Sequence, residues 1–440
     1  MSFPRYPEYK DSGVEWLGQV PAHWDVKRLK YNLRLLTEKT DRRANPVALE
    51  NIEGWSGRFL PTETEFEGEG IAFDKGDILF GKLRPYLAKA LLAETAGEAV
   101  GDFHVMRPEA GVHARFAQYE ILNRSFIDIV DGSTFGSKMP RASWEFVGSM
   151  PLPTPPYAEQ TAIATFLDRE TAKIDALVAE QEKLIALLQE KRQAVISHAV
   201  TKGLDPNVPM KDSGVEWLGE VPGHWEVKQI KHLLSLLTDY TSNGSFASLA
   251  ENVSYLSQGY SRLVRLTDLR DDLSNDGIFV DENAHQYLSK SELFGGEVLI
   301  ANVGAYAGYA CLMPRGHGKA TLGPNMYLIN FNKQKISNEY GLLCLMSPGI
   351  QEQLKIASTS TAQPKLNKDN VKSCTTVIPP TLEEQDEILR FLSIRNLESD
   401  RLINEAQHAI NLLKERRTAL ISAAVTGQID VRSLAPVDTA

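Results

Sequence analysis

Three stretches of the sequence hold residue types at spacings that could do chemistry. Gly76 to Leu83 reads GDILFGKL, a phosphate-loop pattern in which glycines let the backbone cradle phosphates, but Leu83 stands where a Ser or Thr hydroxyl would hold magnesium. The counterpart around Gly296 lacks the lysine as well, so no ATPase centre is expected. Thr154 to Tyr157 reads TPPY, close to the Pro-Pro-aromatic signature of adenine methyltransferases, which begins with Asn, Asp or Ser. Its counterpart Ile378 to Thr381 keeps only the prolines, and no glycine-rich cofactor loop precedes either. Prolines suit the first turn of a helix, and that is how they are read. Asp25-Val26-Lys27 and Glu226-Val227-Lys228 carry the acid-x-Lys end of a nuclease triad without an upstream Pro-Asp pair, and read as surface charge.

What remains is the chemistry of recognition. Gly76, Asp77, Ile78, Leu79 and Phe80 match Gly296, Glu297, Val298, Leu299 and Ile300, a turn feeding a buried strand. After it the two stretches diverge. Lys82 and Arg84 stand opposite Asn302 and Gly304, while Tyr86 and Tyr306 agree. Further on, Ser133 and Thr134 match Ser358 and Thr359, after which Lys138 and Arg141 face Gln363, Lys365 and Asn367. These side-chain types contact phosphates and base edges, and different letters at equivalent places suggest different sequences being read. Any one of them taken singly reads better as solvated surface; the pattern carries the reading.

The elements that must position these residues come from a duplication. Lys10 to Lys27, KDSGVEWLGQVPAHWDVK, recurs as Lys211 to Lys228, KDSGVEWLGEVPGHWEVK, with 15 of 18 positions identical. His23-Trp24 and His224-Trp225 within it are read as core anchors beside a turn rather than stacking groups. Pro155, Pro156, Glu159, Gln160, Ile163, Phe166 and Leu167 correspond to Pro379, Pro380, Glu384, Gln385, Ile388, Phe391 and Leu392. Each then runs roughly 40 residues without proline to the matching ends AVISHAVTKGLD and ALISAAVTGQID, which predicts two long helices stopped by Gly203 and Gly427. Leu167, Ile174, Leu188 and Val195 share one heptad position and Leu177 and Leu184 another; the second helix carries Leu392, Leu402, Leu413 and Leu420 with Ala406 and Ala409 between. The offset between copies grows from 201 to 225, so the second copy holds 225 − 201 = 24 extra residues.

The chain of 440 residues, 42% hydrophobic and 24% charged, is long enough for two sizeable cores. Three scattered cysteines indicate neither disulfides nor zinc, and no leader-like start or long apolar run is seen, so a cytoplasmic protein without a membrane span is expected. A net charge of −10 opposes non-specific coating of nucleic acid. A basic face, or a partner that supplies phosphate contacts, would reconcile the two.

In this order, the duplicated Gly-(Asp/Glu)-(Ile/Val)-Leu strands, Pro-Pro-x-x-Glu-Gln helix starts and ALISxAVTG-like helix ends resemble the specificity subunit of type I restriction-modification systems. The resemblance covers essentially the whole chain and implies a mixed α/β (α+β) build with internal pseudo-twofold duplication. The expected division is a target-recognition domain at 1–150, a conserved helical region at 151–205, a second recognition domain at 206–375, a second helical region at 376–430 and a tail at 431–440. The helices would pair antiparallel as a coiled coil. The resemblance further implies that each domain reads half of a bipartite asymmetric site on double-stranded DNA and that the helices set the gap and dock two modification subunits. Those subunits would hold S-adenosylmethionine; two restriction subunits, where present, would use ATP and magnesium, and this chain would hold no cofactor and no catalytic group. A coiled-coil protein scaffold, or an enzyme with an unfamiliar active site, are the rival readings.

Overall fold

The computed structural model describes residues 3–40, 45–62, 69–136, 138–270, 272–358 and 363–434. The fold is mixed α/β, in two compact units: Met1–Lys183 with Glu405–Ala440, and Leu184–Asn404. Each unit contains one globular α/β body and part of both long helices.

The same four-stranded antiparallel sheet lies in both bodies. In the first its order is Leu33–Leu36, Phe103–Pro108, Ile78–Gly81, Ala90–Leu92. In the second it is Leu234–Asp239, Met326–Phe331, Val298–Ala301, Ala310–Leu312. The strand expected after the Gly-Asp and Gly-Glu turns is therefore central to each sheet. Its apolar run is explained by burial on both faces: Ile78 and Phe80 enter one core cluster and Leu79 another, as Val298 and Ile300 do against Leu299. The acidic residue of the turn closes it. Asp77 accepts the Asp74 amide at 2.7 Å, and Glu297 accepts those of Phe294 and Gly295 at 2.9 and 2.8 Å. GDILFGKL thus forms a strand, not a loop that opens a helix, which removes the geometry a phosphate loop needs.

The repeated openings fold as hairpins, Tyr9–Asp11 with Gln19–Pro21 and Met210–Asp212 with Glu220–Pro222. The chain then enters a strand that pairs with the last strand of the same body. Asp25–Arg28 pairs with Pro151–Thr154, and Glu226–Gln229 with Thr375–Ile378. Asp-Val-Lys lies in this ribbon, and Thr-Pro-Pro-Tyr is where its second strand ends at Thr154 and the long helix begins at Tyr157.

The long helices run from Tyr157 to Lys202 and from Leu382 to Val425. They are antiparallel: Ile163, Phe166, Leu167 and Ile174 share a core with Leu420, Ile421, Ala424 and Val425, while Ala199 and Val200 share one with Ile388 and Leu392. Their pairing uses one of the two stripes read in the first helix. Leu167 and Ile174 are buried, but Leu177 and Leu184 are 51% and 43% exposed. In the second helix Arg417 occupies the seam, its guanidinium donating to Asp175 at 3.0 Å and to the Trp55 carbonyl at 2.8 Å.

The two duplicated motifs meet at the helix starts. Glu159 accepts the Trp24 indole N–H at 3.0 Å, His23 Nε2 at 2.6 Å and the Tyr6 hydroxyl at 3.2 Å. Glu384 accepts the Trp225 indole at 2.7 Å and His224 at 3.1 Å. Both indoles are fully buried, as anchors should be. The neighbouring glutamines tie the helix to the body: Gln160 binds the His113 amide and the Pro155 carbonyl, each at 2.8 Å, and Gln385 donates to the Lys335 carbonyl at 2.8 Å. At the other helix ends Gly203 and Gly427 take φ of 77° and 74°. A Cβ on Gly427 would lie 2.3 Å from Pro21 Cδ, so only glycine lets that helix end reach the hairpin.

The clamp generates a stability prediction. Glu384→Ala leaves the buried Trp225 N–H without an acceptor and should cost about 1–3 kcal/mol, whereas Glu384→Gln keeps an acceptor oxygen and should cost less. Equal losses in urea unfolding would show that the indole bond is not what holds the helix start.

Candidate nucleic-acid interface

The residues after each central strand hang on the same backbone frame. In the first unit Lys82 N–H donates to the Asp102 carbonyl, Ala142 N–H to the Lys82 carbonyl and Arg84 N–H to the Pro140 carbonyl, each at 2.9 Å. In the second, Asn302 donates to Asn325 at 3.1 Å, and Leu366 donates to Asn302 and Gly304 to Pro364 at 2.9 Å. Isolated bridges Leu83 to Arg141 and Val303 to Lys365 complete the match. By this register Arg141 is the counterpart of Lys365, Asp102 of Asn325, and His104 of Tyr327. A short turn follows, bracketed by left-handed residues: Arg84 (φ 51°) and Ala88 (φ 47°) in one unit, Gly304 (φ 89°) and Gly308 (φ 95°) in the other. Its tip presents Tyr86 or Tyr306, 48% and 51% exposed.

The side chains on this frame differ in charge. In the first unit Asp102 accepts both arms of Arg141, Nε at 3.0 Å and Nη2 at 2.8 Å, with Lys82 Nζ at 3.7 Å. The Arg141 hydrogen bonds hold the Asp102 carboxyl below its ordinary value, although partial burial opposes them. Below, His104 Nε2 meets the Ala142 carbonyl at 3.0 Å, and burial pushes its pKa down to about 4, so it is neutral at physiological pH. Lys82, His104, Phe135, Lys138, Met139 and Arg141 line an open cavity of about 810 Å³. Phe135 and Met139 are 75% and 50% exposed. Arg84 and Lys138 are exposed, and neither side chain makes a hydrogen bond or ion pair among the described residues. Lys82 and Arg141 thus share one carboxylate, Arg84 sits on the same backbone frame and Lys138 lines the same cavity beside Phe135 and Met139, a composition suited to a phosphate backbone and base faces.

The second unit is close to neutral at the same place. Asn302 and Asn325 replace Lys82 and Asp102, and the Asn302 Oδ1 is buried without a partner among the described residues. The Tyr327 hydroxyl donates to the Leu366 carbonyl at 2.8 Å where His104 contacts Ala142. Lys368 lies 3.0 Å from Asp239. Amides dominate this loop, and an amide suits an adenine edge as a guanidinium suits guanine.

Other residues singled out in the sequence are engaged locally. The Ser133 and Thr134 hydroxyls donate to the Val130 and Asp131 carbonyls at 2.7 and 2.8 Å, closing the helix Arg124–Gly132. Ser358 stands at the end of the helix Pro348–Ala357, and Thr359 lies outside the described residues. Asn367 caps the helix Lys368–Ser373, accepting the Asn370 amide at 2.8 Å. Gln363 and Lys365 border Pro364, which carries the frame. Asp102, His104, Phe135 and Met139 were not singled out. The exposed Phe-Gly-x-Lys-Met run beside Arg141 could have flagged the last two. Among the described residues no group of His, Cys, Asp or Glu could hold a metal ion, and no helix is long and apolar enough to cross a membrane. All three cysteines are free.

A family model described as the type I restriction modification DNA specificity domain matches residues 222–411. The specificity subunit of type I restriction enzyme EcoDI from Escherichia coli is 25% identical over 192 residues, which are 42% of this chain and 43% of that protein. The EcoKI specificity subunit from Escherichia coli strain K12 is 22% identical over 334 residues, 74% of this chain and 68% of that one. The match thus spans less than half the length of the EcoDI relative. A chain of a solved structure described as "Structural basis underlying complex assembly and conformational transition of the type I R-M system" superposes with a TM-score of 0.67 at 14% identity, over 92% of this chain and 98% of that chain. At that identity the likeness is one of fold.

The bracketed turn yields a test of backbone strain. Arg84 makes no contact that glycine would lose, so Arg84→Gly should leave stability within about 1 kcal/mol of the parent or raise it. Arg84→Val, β-branched at positive φ, should cost about 1–2 kcal/mol more. Equal denaturation midpoints for the two variants would show that the turn does not hold this conformation.

Proposed function

We propose that this chain is a specificity subunit of the type I restriction-modification family, and that its two units read the two halves of a bipartite, asymmetric site on double-stranded DNA. The observation that carries the reading is one backbone frame bearing two different side-chain sets: Lys82, Arg84, Lys138 and Arg141 in one unit, and Asn302, Gln363 and Lys365 in the other. A shared frame places different donors and acceptors at equivalent positions, which is what two half-sites require. The local basicity of the first loop also answers the objection raised by a net charge of −10.

In this reading the chain is the non-catalytic subunit. Two modification subunits carry S-adenosylmethionine and methylate adenine, and two restriction subunits bring ATP and magnesium. The long helices set the gap between half-sites and dock the modification subunits. Their exposed apolar residues support that role: Leu177, Leu184 and Leu187 on the first and Ile394 and Leu397 on the second, each 43–69% exposed.

Two experiments test the proposal. Replacing residues 1–150 with the equivalent domain of a relative should change one half of the methylated site in the host genome and leave the other; a change in both halves would refute independent readers. Arg84→Gly should weaken DNA binding by the assembled methyltransferase while preserving fold. If Arg84 contacts a phosphate, affinity falls on all sequences and the salt slope drops by about 1; if it contacts a base, discrimination at one position falls by about 1–3 kcal/mol. Unchanged binding at low and moderate salt would remove Arg84 from the interface.

A further inference from the structure

The hairpin that opens each unit keeps 15 of 18 residues, while the loops that follow the central strands keep little beyond their frame. Both copies have had the same time to diverge, so an identity that survives in both answers a demand made twice. For most of the hairpin the demand is internal. Asp11 and Asp212 accept the amides of Gly13 and Gly214 at 2.9 and 3.0 Å. Those glycines both have φ of 70°, and Gly18 and Gly219 have φ of 62° and 59°. Leu17, Val20, Pro21 and Trp24 are buried, as are their counterparts, and the two histidines bind the helix carboxylates.

Glu15 and Glu216 answer to nothing inside the protein. Both are exposed, and neither makes a hydrogen bond or ion pair among the described residues. Each is followed by a tryptophan that its own unit covers only in part: Trp217 is 39% exposed, and Trp16 is half-buried against the core of its unit. A carboxylate repels phosphate, so this face is unsuited to DNA.

We propose that Glu15 with Trp16, and Glu216 with Trp217, are two equivalent docking faces for two copies of one protein partner. The partner offers a Lys or Arg to the carboxylate and an apolar or cationic group to the indole. Identical faces on units whose recognition loops differ fit one protein bound twice, and not two different proteins. The inference rests on the restriction-modification reading, in which the modification subunit is the protein present twice.

The test is to co-express the full chain with its modification subunit and weigh the purified complex by native mass spectrometry. Glu15→Lys and Glu216→Lys should each lose one modification subunit, or weaken its binding by about tenfold or more, and the double variant should lose both. Melting temperatures of the isolated variants should match the parent, since neither carboxylate has an internal contact. A double variant that retains both copies at the same dilution overturns the docking faces alone. A parent chain that takes up no modification subunit overturns the restriction-modification reading and this inference with it.

Discussion

Each unit is closed by a carboxylate in the first turn of a long helix. Glu159 and Glu384 sit where the helix N-terminus favours negative charge, and each reaches back to a buried indole at the opening of its own unit. The strand pairs beside them, Asp25–Arg28 with Pro151–Thr154 and Glu226–Gln229 with Thr375–Ile378, are two-stranded ribbons of a kind that is marginal alone. The indole bond, the histidine and the adjacent glutamine turn a weak ribbon into a fixed seam. Burial raises the Tyr6 hydroxyl well above its ordinary value, with Glu159 adding to the effect, so that phenol stays protonated and remains a donor to the carboxylate. Because the two ends of each body are held together in this way, the sheet and the loops it carries rise from anchored feet.

Much of this was legible in the sequence, because duplication makes structural demands visible as shared letters. The repeated His-Trp pairs proved to touch the glutamates of the Glu-Gln pairs, although the sequence placed them 135 residues apart in one copy and 159 in the other and could not say so. The central strand was legible from its apolar run, and its neighbours were not, because strands such as Phe103–Pro108 carry mixed letters that only tertiary burial explains. Two leucine stripes on the first helix were read as one seam; the structure uses Leu167 and Ile174 and leaves Leu177 and Leu184 exposed. A helix with two apolar stripes does not reveal which of them its partner in the same chain will take. Asp102 was missed because its role depends on a fork from Arg141, 39 residues away, that no spacing rule encodes. Hydroxyls and amides are ambiguous for a different reason. Ser133 and Thr134 close one helix here and Asn367 opens another, and the side-chain types that cap a helix are the ones that reach for a base.

The frame beneath the recognition loops has a consequence for how such a protein changes over generations. Its bonds run from main chain to main chain: residue 82 to 102, 142 to 82 and 84 to 140, and their equivalents in the second unit. Apart from the positive-φ positions 84 and 304, which disfavour β-branched residues, these bonds do not depend on the side chains beside them, so replacing Lys by Asn or Arg by Gly leaves the same hydrogen bonds in place. Drift at the positions facing outward is therefore nearly neutral for folding, while drift at Trp24, Glu159 or Asp77 is punished at once. A lineage can explore new surface chemistry without passing through unfolded ancestors, and its two halves can do so on separate schedules.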